Sequence, residues 1–250
     1  MIIFNNSSTI FQGNVSINPS IITDGLMYYV DAANIKSYSG ASETTGTTYN
    51  NLIGSPSGSL IGNTTFKTSP SRFDTNNLVQ GDIGYLSVSP VITFADGSEY
   101  TFETWVRIED NPTTATTTNS LIGRGGLYPY IYLSVTGAIS WRPVYREYSG
   151  GTAYLFPSIT TPSLINKWNN LAFVINSSRE VKFYLNGVYH STVNPLSTYF
   201  YNISRIAGGY QSGVVTNPFL GSMTMFKIYN IPLTATEVLQ NYNATKSRYQ

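Results

Sequence analysis

The C-terminal stretch, residues 219–249, most constrains what this chain can fold into. Its first part reads FLGSMTMFKIYN and is rich in apolar and aromatic residues, which favour β-strands. The alternation of apolar and polar positions is loose, which predicts a strand that is buried on both faces or bulged near Gly221. Pro232 ends the strand, because proline cannot donate a hydrogen bond to a neighbouring strand.

A short helix is predicted directly after this strand. Thr234 and Glu237 have the T-x-x-E spacing of a capping box, which marks the start of a helix. Val238, Leu239 and Tyr242 then fall on one face of that helix. The C-terminus is therefore expected to fold back onto a finished β-sheet.

Most of the remaining chain has the pattern of β-strands. Residues 100–108 alternate most cleanly, and Asn186-Gly187 between two apolar segments predicts a tight β-hairpin. Residues 37–65 are rich in Ser, Thr, Gly and Asn and predict a long loop with at most a short strand near Leu60. About twelve strands separated by turn signals predict an all-β fold, a two-sheet antiparallel jelly-roll sandwich with a short C-terminal helix.

The first 20 residues differ from the rest of the chain, because their apolar side chains are scattered among Asn and Ser. One interpretation of residues 1–20 is a strap or extra edge strand across the sandwich. The other is a docking arm that adds to the sheet of a neighbouring molecule. Residues 21–250 are predicted to form one jelly-roll domain.

Composition excludes several classes of partner. Charged residues make up 11% of the chain, against roughly 25% in typical soluble proteins. The net charge is +1 and like charges do not cluster, so neither nucleic acid nor an anionic membrane surface is an expected partner. The chain has no cysteine, which excludes disulfides and thiolate chemistry.

Targeting signals are not expected either. The N-terminal sequence MIIFNNSSTIF lacks a positively charged region and a long apolar core, so no signal peptide is predicted. The chain contains no run of about 20 apolar residues, so membrane insertion is not expected.

Five segments, taken in order, resemble the concanavalin A-like lectin/glucanase superfamily, and within it the laminin G-like jelly-roll domains found in phage structural proteins. These segments are residues 23–38, 102–108, 167–174, 181–188 and 219–249. The resemblance implies two antiparallel sheets. It also implies a virion surface protein, assembled in the host cytoplasm, that acts in capsid decoration, fibre assembly or adhesion to a host. The expected partners are virion proteins, contacted through residues 1–20, with glycans and a homo-oligomer left open.

Catalysis is not expected from the carboxylates present. Glycoside hydrolysis needs two carboxyl groups within about 9.5 Å of each other. The resemblance implies an E-x-D-x-x-E pattern for the glucanases, but the nearest match here is Glu99 and Glu103, with no Asp between them. On a strand they lie about 13 Å apart, at roughly 3.3 Å per residue, so Glu103 is interpreted as a partnered residue of one sheet face. His190, the only histidine, has no catalytic motif around it.

Calcium is the only cofactor that the sequence leaves open. Relatives in the superfamily often hold Ca²⁺ through Asp and Asn oxygens, as a hard cation requires. Asp96 and Asp74 offer such oxygens on predicted loops, although an isolated Asp-Gly pair such as Asp96-Gly97 is commonly only a turn.

One aromatic and arginine-rich segment is the candidate ligand surface. Along AISWRPVYREY, Trp141 and Tyr145 share one face of a strand, while Arg142 and Arg146 take the other. Glycan contact, protein contact and a plain role in the core and its rim all fit this composition. The candidate ligand residues are Arg124, Tyr128, Tyr130, Trp141, Tyr145, Arg146 and Tyr148.

Three functions follow from these observations. The first is a non-enzymatic virion surface protein built on a lectin-like domain. The second is a lectin module whose role is the recognition of host-surface glycans. A glycan-cleaving enzyme is the third, and the carboxylate spacing argues against it.

Overall fold

The protein is an antiparallel β-sandwich with one C-terminal helix. The computed structural model describes residues 19–38, 48–68, 70–75, 84–108, 118–124, 131–135, 140–146, 152–160, 165–196, 200–211 and 214–249. The prediction for residues 1–20 therefore lies almost wholly outside the described residues. Within the described ranges no helix is long and apolar enough to cross a membrane.

The first layer, called sheet A, has eight described strands in the order β15-β14-β13-β7-β19-β5-β4, with β1 also paired to β19. Every pairing in it is antiparallel. Its strands are β1 (Leu26–Asp31), β4 (Thr65–Thr68), β5 (Ser71–Asp74), β7 (Tyr100–Ile108), β13 (Trp168–Ile175), β14 (Val181–Leu185), β15 (Val188–Val193) and β19 (Gly221–Tyr229).

The second layer, called sheet B, has nine described strands in the order β11-β10-β9-β8-β16-β6-β3-β2, with β12 paired to β10. The strands are β2 (Thr48–Asn51), β3 (Gly54–Ile61), β6 (Tyr85–Phe94), β8 (Thr118–Arg124), β9 (Ile131–Val135), β10 (Ser140–Arg146), β11 (Ala153–Leu155), β12 (Ile159–Thr160) and β16 (Phe200–Ile206). A separate hairpin joins β17 (Gly208–Gln211) to β18 (Val214–Pro218).

The main core lies between the two sheets. Sheet A contributes a row of fully buried aromatic rings, and sheet B contributes buried aliphatic and aromatic side chains. Tyr28 of β1 and Tyr49 of β2 join the layers through a hydroxyl–hydroxyl hydrogen bond of 2.7 Å. The two antiparallel sheets with a core between them confirm the predicted all-β sandwich.

Local predictions are confirmed where the pattern was strong. β7 has the predicted bounds, and both of its faces are buried. The Asn186-Gly187 turn joins β14 to β15, and both residues have positive φ, 53° and 78°. Positive φ at both positions is the geometry of a type I′ hairpin turn. Gly187 is also required by packing, because a Cβ there would lie 2.9 Å from Cβ of Tyr242.

The predicted long loop over residues 37–65 is wrong in part, because β2 and β3 lie within it. Serine and glycine have low strand propensity, so the sequence shows little strand pattern there. The strand forms through partners distant in sequence, since Ser57–Ile61 pairs with residues 85–89 of β6. Tertiary pairing thus decides the conformation of this segment.

The C-terminal predictions hold with one correction. β19 is buried along its whole length and carries a bulge between Met223 and Met225. Helix α1 (Ala235–Thr245) begins at Thr234, and the capping box with Glu237 is present. Leu239 was predicted on the packed face but is 43% exposed, whereas Val238 is buried.

Candidate functional site

Part of the outer face of sheet A is covered by the C-terminal segment of the chain. Helix α1 packs on this face. The contact between them is a second apolar cluster, formed by Leu233 and Val238 of the C-terminal segment and by Ala172, Val174 and Tyr229 of sheet A. The part of this face that lies under the helix is not available to a ligand.

A buried polar network lies under the helix. Glu103 of β7 accepts a hydrogen bond from Lys227 Nζ at 2.9 Å and from Asn170 Nδ2 at 3.0 Å. Its other oxygen accepts from Asn241 Nδ2 of the helix at 2.8 Å. The side chains of Glu103 and Lys227 are both 0% exposed. Glu103 is therefore a partnered structural residue, as predicted, and solvent does not reach it.

Aromatic contacts tie the chain end to the same face. Trp105 Nε1 donates to Thr245 Oγ1 at 2.9 Å, and its ring stacks on Tyr242 with centroids 5.7 Å apart. Arg248 forms a bidentate pair with Asp31 at 2.7 and 2.8 Å. Burial raises the pKa of Tyr249, which packs on Trp105, to about 12.

The candidate ligand segment is divided between the two faces of β10. Trp141 and Tyr145 point into the main core and are 0% exposed. Their assignment as ligand contacts is corrected, because a buried ring cannot stack on a sugar at the surface. The sequence alternation grouped these two rings correctly, but alternation alone does not tell which face is the core.

The other face of β10 carries half-buried arginines. Arg146 donates from Nη2 to the Tyr132 hydroxyl at 2.9 Å, and its guanidinium carbon is 5.6 Å from the Tyr132 ring centroid. Arg142 donates from Nη2 to Ser158 Oγ at 3.4 Å. These contacts orient both guanidinium groups over the outer face of sheet B.

A third arginine lies on the same face, three strands away. Arg205 of β16 pairs with Gly123 of β8 and Ser87 of β6. Its guanidinium carbon is 4.6 Å from the centroid of Tyr85. The sequence analysis did not single out Arg205 or Tyr85, because only the pairing of β16 with β6 and β8 brings them to this surface.

We call this surface the arginine face and define it by Tyr85, Tyr132, Arg142, Arg146 and Arg205. Tyr128, Tyr130 and Tyr148 lie outside the described residues, so their prediction stays untested. Arg124 ends β8, and its side chain is outside the description.

The two proposed calcium ligands are each paired with arginine. Asp74 lies 2.8 Å from Arg72 Nε and also accepts a hydrogen bond from Ser222 at 2.6 Å. Asp96 lies 2.7 Å from Arg179 Nη2. Among the described residues no three His, Cys, Asp or Glu side chains gather as a metal site would require. Calcium binding therefore remains a prediction without support from these side chains.

A small cavity of about 330 Å³ opens beside the start of α1. Apolar and polar groups share its wall. Its lining includes Val174, Lys182, Tyr184, Leu233 and Thr234. This cavity on sheet A is the alternative to the arginine face as a binding site.

Comparison with known proteins identifies the fold family. A model of the concanavalin A-like lectin/glucanases superfamily matches residues 80–239, well over half of the chain. The chain belongs to this superfamily. No curated protein matches its sequence.

Similar solved structures include a sialidase and two toxin domains. A sialidase from Trypanosoma rangeli in complex with the inhibitor DANA matches with TM-score 0.60 and 16% identity, over 94% of this chain and 36% of the sialidase. The receptor-binding domain of botulinum neurotoxin D matches with TM-score 0.60 and 12% identity, over 89% of this chain and 53% of that one. The type G domain is similar, with TM-score 0.56, 14% identity and coverage of 88% and 51%. This chain spans about a third of the sialidase and about half of the toxin domains, and at these identities the likeness shows the fold alone.

Proposed function

We propose that this chain is a non-enzymatic surface protein, whose lectin-like domain recognises a ligand through the arginine face. One observation carries the proposal. Helix α1 covers part of the outer face of sheet A, whereas the outer face of sheet B holds oriented guanidinium groups beside tyrosine rings. The toxin domains with a similar fold are named as receptor-binding domains, which is consistent with this role.

The location we propose is the exterior of a virion, in capsid decoration, a fibre or host adhesion. The support for this location is the resemblance of five segments to jelly-roll domains of phage structural proteins. Virion proteins are the proposed assembly partners, contacted through residues 1–20. Ser20 and Ile22 bond to α1 through Gln240 and Asn241, so a deletion that tests the arm should end before Pro19.

A role without catalysis is supported by the state of Glu103. A general acid or nucleophile must reach its substrate, and Glu103 is enclosed with Lys227 and Asn241. Glu99 is engaged by the backbone N–H of Ser177 at 3.1 Å. The similar sialidases share the fold over only about a third of their length, so their chemistry is not carried over.

The experiment is a panel of neutral and acidic glycans, with retained protein and released sugar measured on the same samples. We expect saturable retention without any released product. Retention should weaken in Arg205→Gln and persist in Arg179→Gln. Arg179 is the charge-matched control, because it lies between β13 and β14 of sheet A and pairs with Asp96. Release of product that disappears in Glu103→Gln would instead make the protein an enzyme. Absence of retention on every glycan would rule out glycan recognition.

A further inference from the structure

We propose that residues 1–18 of one copy of this chain add as a strand to β15 of a second copy. We call β15 (Val188–Val193) the acceptor edge. The inference rests on the assembly role proposed above for the N-terminal segment, and it names the partner as another molecule of the same protein. It concerns sheet A and does not depend on the arginine face.

The acceptor edge is an open end of sheet A. Among the described residues it pairs only with β14. A strand at the edge of a sheet presents backbone N–H and C=O groups that can pair with another strand, and short length, charge or proline commonly prevents this. The acceptor edge is six residues long, VYHSTV, and contains no Lys, Arg, Asp, Glu or Pro. It therefore lacks these three protections.

The other described edges of the two sheets are protected or covered. β4, at the far end of sheet A, has four residues and contains Lys67. In sheet B the outermost strands β2 and β11 have four and three residues. β1 has six residues, but Leu52 donates to the Tyr29 carbonyl oxygen at 2.8 Å and the Asn51 side chain accepts from Tyr29 N at 2.7 Å. The acceptor edge is thus the longest open edge of the two sheets within the described ranges.

Exposed apolar side chains lie at the acceptor edge. Val188 and Tyr189 are 64% and 53% exposed. The exposed Leu239 of helix α1 lies beside them, because a Cβ on Gly187, which precedes Val188, would be 3.1 Å from Leu239 Cδ1. Large apolar side chains that are exposed together are typical of protein contact sites.

The cavity of about 330 Å³ on sheet A adjoins this edge. Tyr184 belongs to its lining and contacts Tyr189 edge-on, with ring centroids 5.8 Å apart. Val174, Pro232 and Leu233 supply apolar lining. Strand addition gains affinity from backbone hydrogen bonds and specificity from pockets for side chains. The cavity is positioned to take an apolar side chain of the added strand.

Residues 1–18 have a composition that suits this surface. They contain no charged side chain, and their large apolar residues other than methionine are all Ile, Phe or Val, which favour strands. Lys182, the charged residue of the cavity lining, is paired with Glu180 at 3.6 Å. Neither partner therefore brings an unpaired charged side chain to the contact. Phe4 and Phe11 are the candidates for the side chain that enters the cavity.

The N-terminal segment joins the described fold away from the acceptor edge. Tyr229 of β19 donates to the carbonyl oxygen of Ile22 at 3.2 Å, and Gln240 of α1 donates to that of Ser20 at 2.9 Å. β19 lies four strand spacings from β15, which is about 19 Å. Residues 1–18 span up to about 60 Å when extended, so they are long enough to reach a neighbouring molecule.

A second copy is favoured over the same chain. To reach its own β15, the segment would have to cross helix α1, whose face away from the sheet carries the polar residues Thr236, Gln240 and Asn243. These side chains give the apolar residues of the segment no cover. Because the segment and the acceptor edge lie at different sides of sheet A, they link neighbouring copies head to tail, which is a heterologous contact.

Direct pairing of two acceptor edges is disfavoured by a bulge. The pairing of β14 with β15 shifts register between Phe183 and Tyr184, so His190 is an extra residue on the edge strand. A bulge bends an edge strand and hinders its pairing with another sheet edge. An added single strand can follow the bend, whereas a second rigid sheet edge cannot.

The test measures the mass of the whole chain in solution by light scattering over a range of concentrations. We expect an oligomer. Phe11→Asp and Tyr189→Lys should each weaken association by about tenfold or more, because each puts an unpaired charge into an apolar contact. Ile53→Lys is the matched control, since Ile53 is 48% exposed but lies between β2 and β3, and it should associate as the unaltered chain does.

Hydrogen exchange then locates the contact. The amide protons of Val188–Val193 should exchange about tenfold faster after deletion of residues 1–18 or in Phe11→Asp, because their added partner is lost. Those of Thr65–Thr68, at the other edge of sheet A, should not change. Circular dichroism and thermal unfolding show whether each variant is folded, and Phe11→Asp in the whole chain replaces a deletion that does not fold.

Three results would overturn the inference. A monomeric whole chain would do so, and if its β15 amides still lose protection on deletion, the segment binds its own chain. An oligomer that survives the deletion would show that another surface makes the contact. An oligomer that needs residues 1–18 but is unaffected by Tyr189→Lys would place the segment on a different acceptor. Glycan retention is measured on the same preparations, so each of these results together with retention would leave the recognition role standing.

Discussion

The outer faces of the two sheets differ in how they treat charge. On sheet A, Glu103 is buried against Lys227, and helix α1 covers both side chains. Sheet B keeps three arginines half-buried on tyrosine rings and hydroxyl groups. The ion pair of sheet A is enclosed, whereas the arginines of sheet B are partly exposed to solvent. The difference teaches that two sheets of one fold can hold their charged side chains in different ways, so the fold alone does not identify a contact surface.

The largest expected effect concerns the buried ion pair. Lys227→Met leaves the carboxylate of Glu103 buried without its cation, which should cost about 3–5 kcal/mol of unfolding free energy. Arg142→Met removes a half-buried cation from the outer face of sheet B, and its cost should stay below about 1 kcal/mol. Urea unfolding of both variants measures the contrast. Equal losses would contradict the difference between the two faces.

The double variant Glu103→Gln with Lys227→Met sharpens the same point. Removal of both charges should restore much of the stability lost in Lys227→Met, because the penalty comes from an uncompensated buried charge. A double variant as unstable as Lys227→Met alone would show that packing, and not charge, causes the loss.

An intermediate effect is expected where the helix meets sheet A. Thr245→Val keeps the shape of the side chain but leaves Trp105 Nε1 buried without its acceptor. The unfolding free energy should fall by about 1–3 kcal/mol. Thr236→Val, on the exposed side of the first helical turn, is the control. Calorimetric unfolding measures the stability of both variants. Equal losses of unfolding free energy would contradict a role for the Trp105–Thr245 hydrogen bond.

The smallest effect is a dependence of stability on alkaline pH. Burial raises the pKa of Tyr249 to about 12 and that of Tyr229 further above its ordinary value of 10. The unfolded chain then loses its tyrosine protons first, so this stability is complete below pH 10 and falls as the pH rises through about 12. Tyr249→Phe should reduce the loss of unfolding free energy between pH 10 and 12. Denaturant unfolding at each pH measures this loss. An unchanged slope would contradict the burial of Tyr249 against Trp105.

Local patterns in the sequence predicted the parts of the fold that depend on near neighbours. The Asn186-Gly187 turn, the alternation of β7 and the cap at Thr234 are set by residues a few positions apart. β2 and β3 were missed because their stability comes from pairing with β6. A serine- and glycine-rich strand shows no pattern until its partner is known.

The candidate site was predicted less well, for a related reason. The segment around β10 was identified, but the rings of Trp141 and Tyr145 proved to be core. Arg205 is far from this segment in sequence and joins it through β8 and β9. Sheet register decides which face of a strand meets solvent and which distant strands share that face. The sequence of a single strand does not specify this register.

The most direct measurement is a side-chain NMR titration of the arginine Nε–Hε signals with the glycan that the panel retains most strongly. Assignment comes from single Arg→Lys variants. We expect the signals of Arg142, Arg146 and Arg205 to shift together and saturably. The signals of Arg72 and Arg248, which are paired with acids on sheet A, should not shift. Shifts confined to Arg72 and Arg248, with the sheet B arginines unmoved, would contradict the claim that sheet B is the recognition surface.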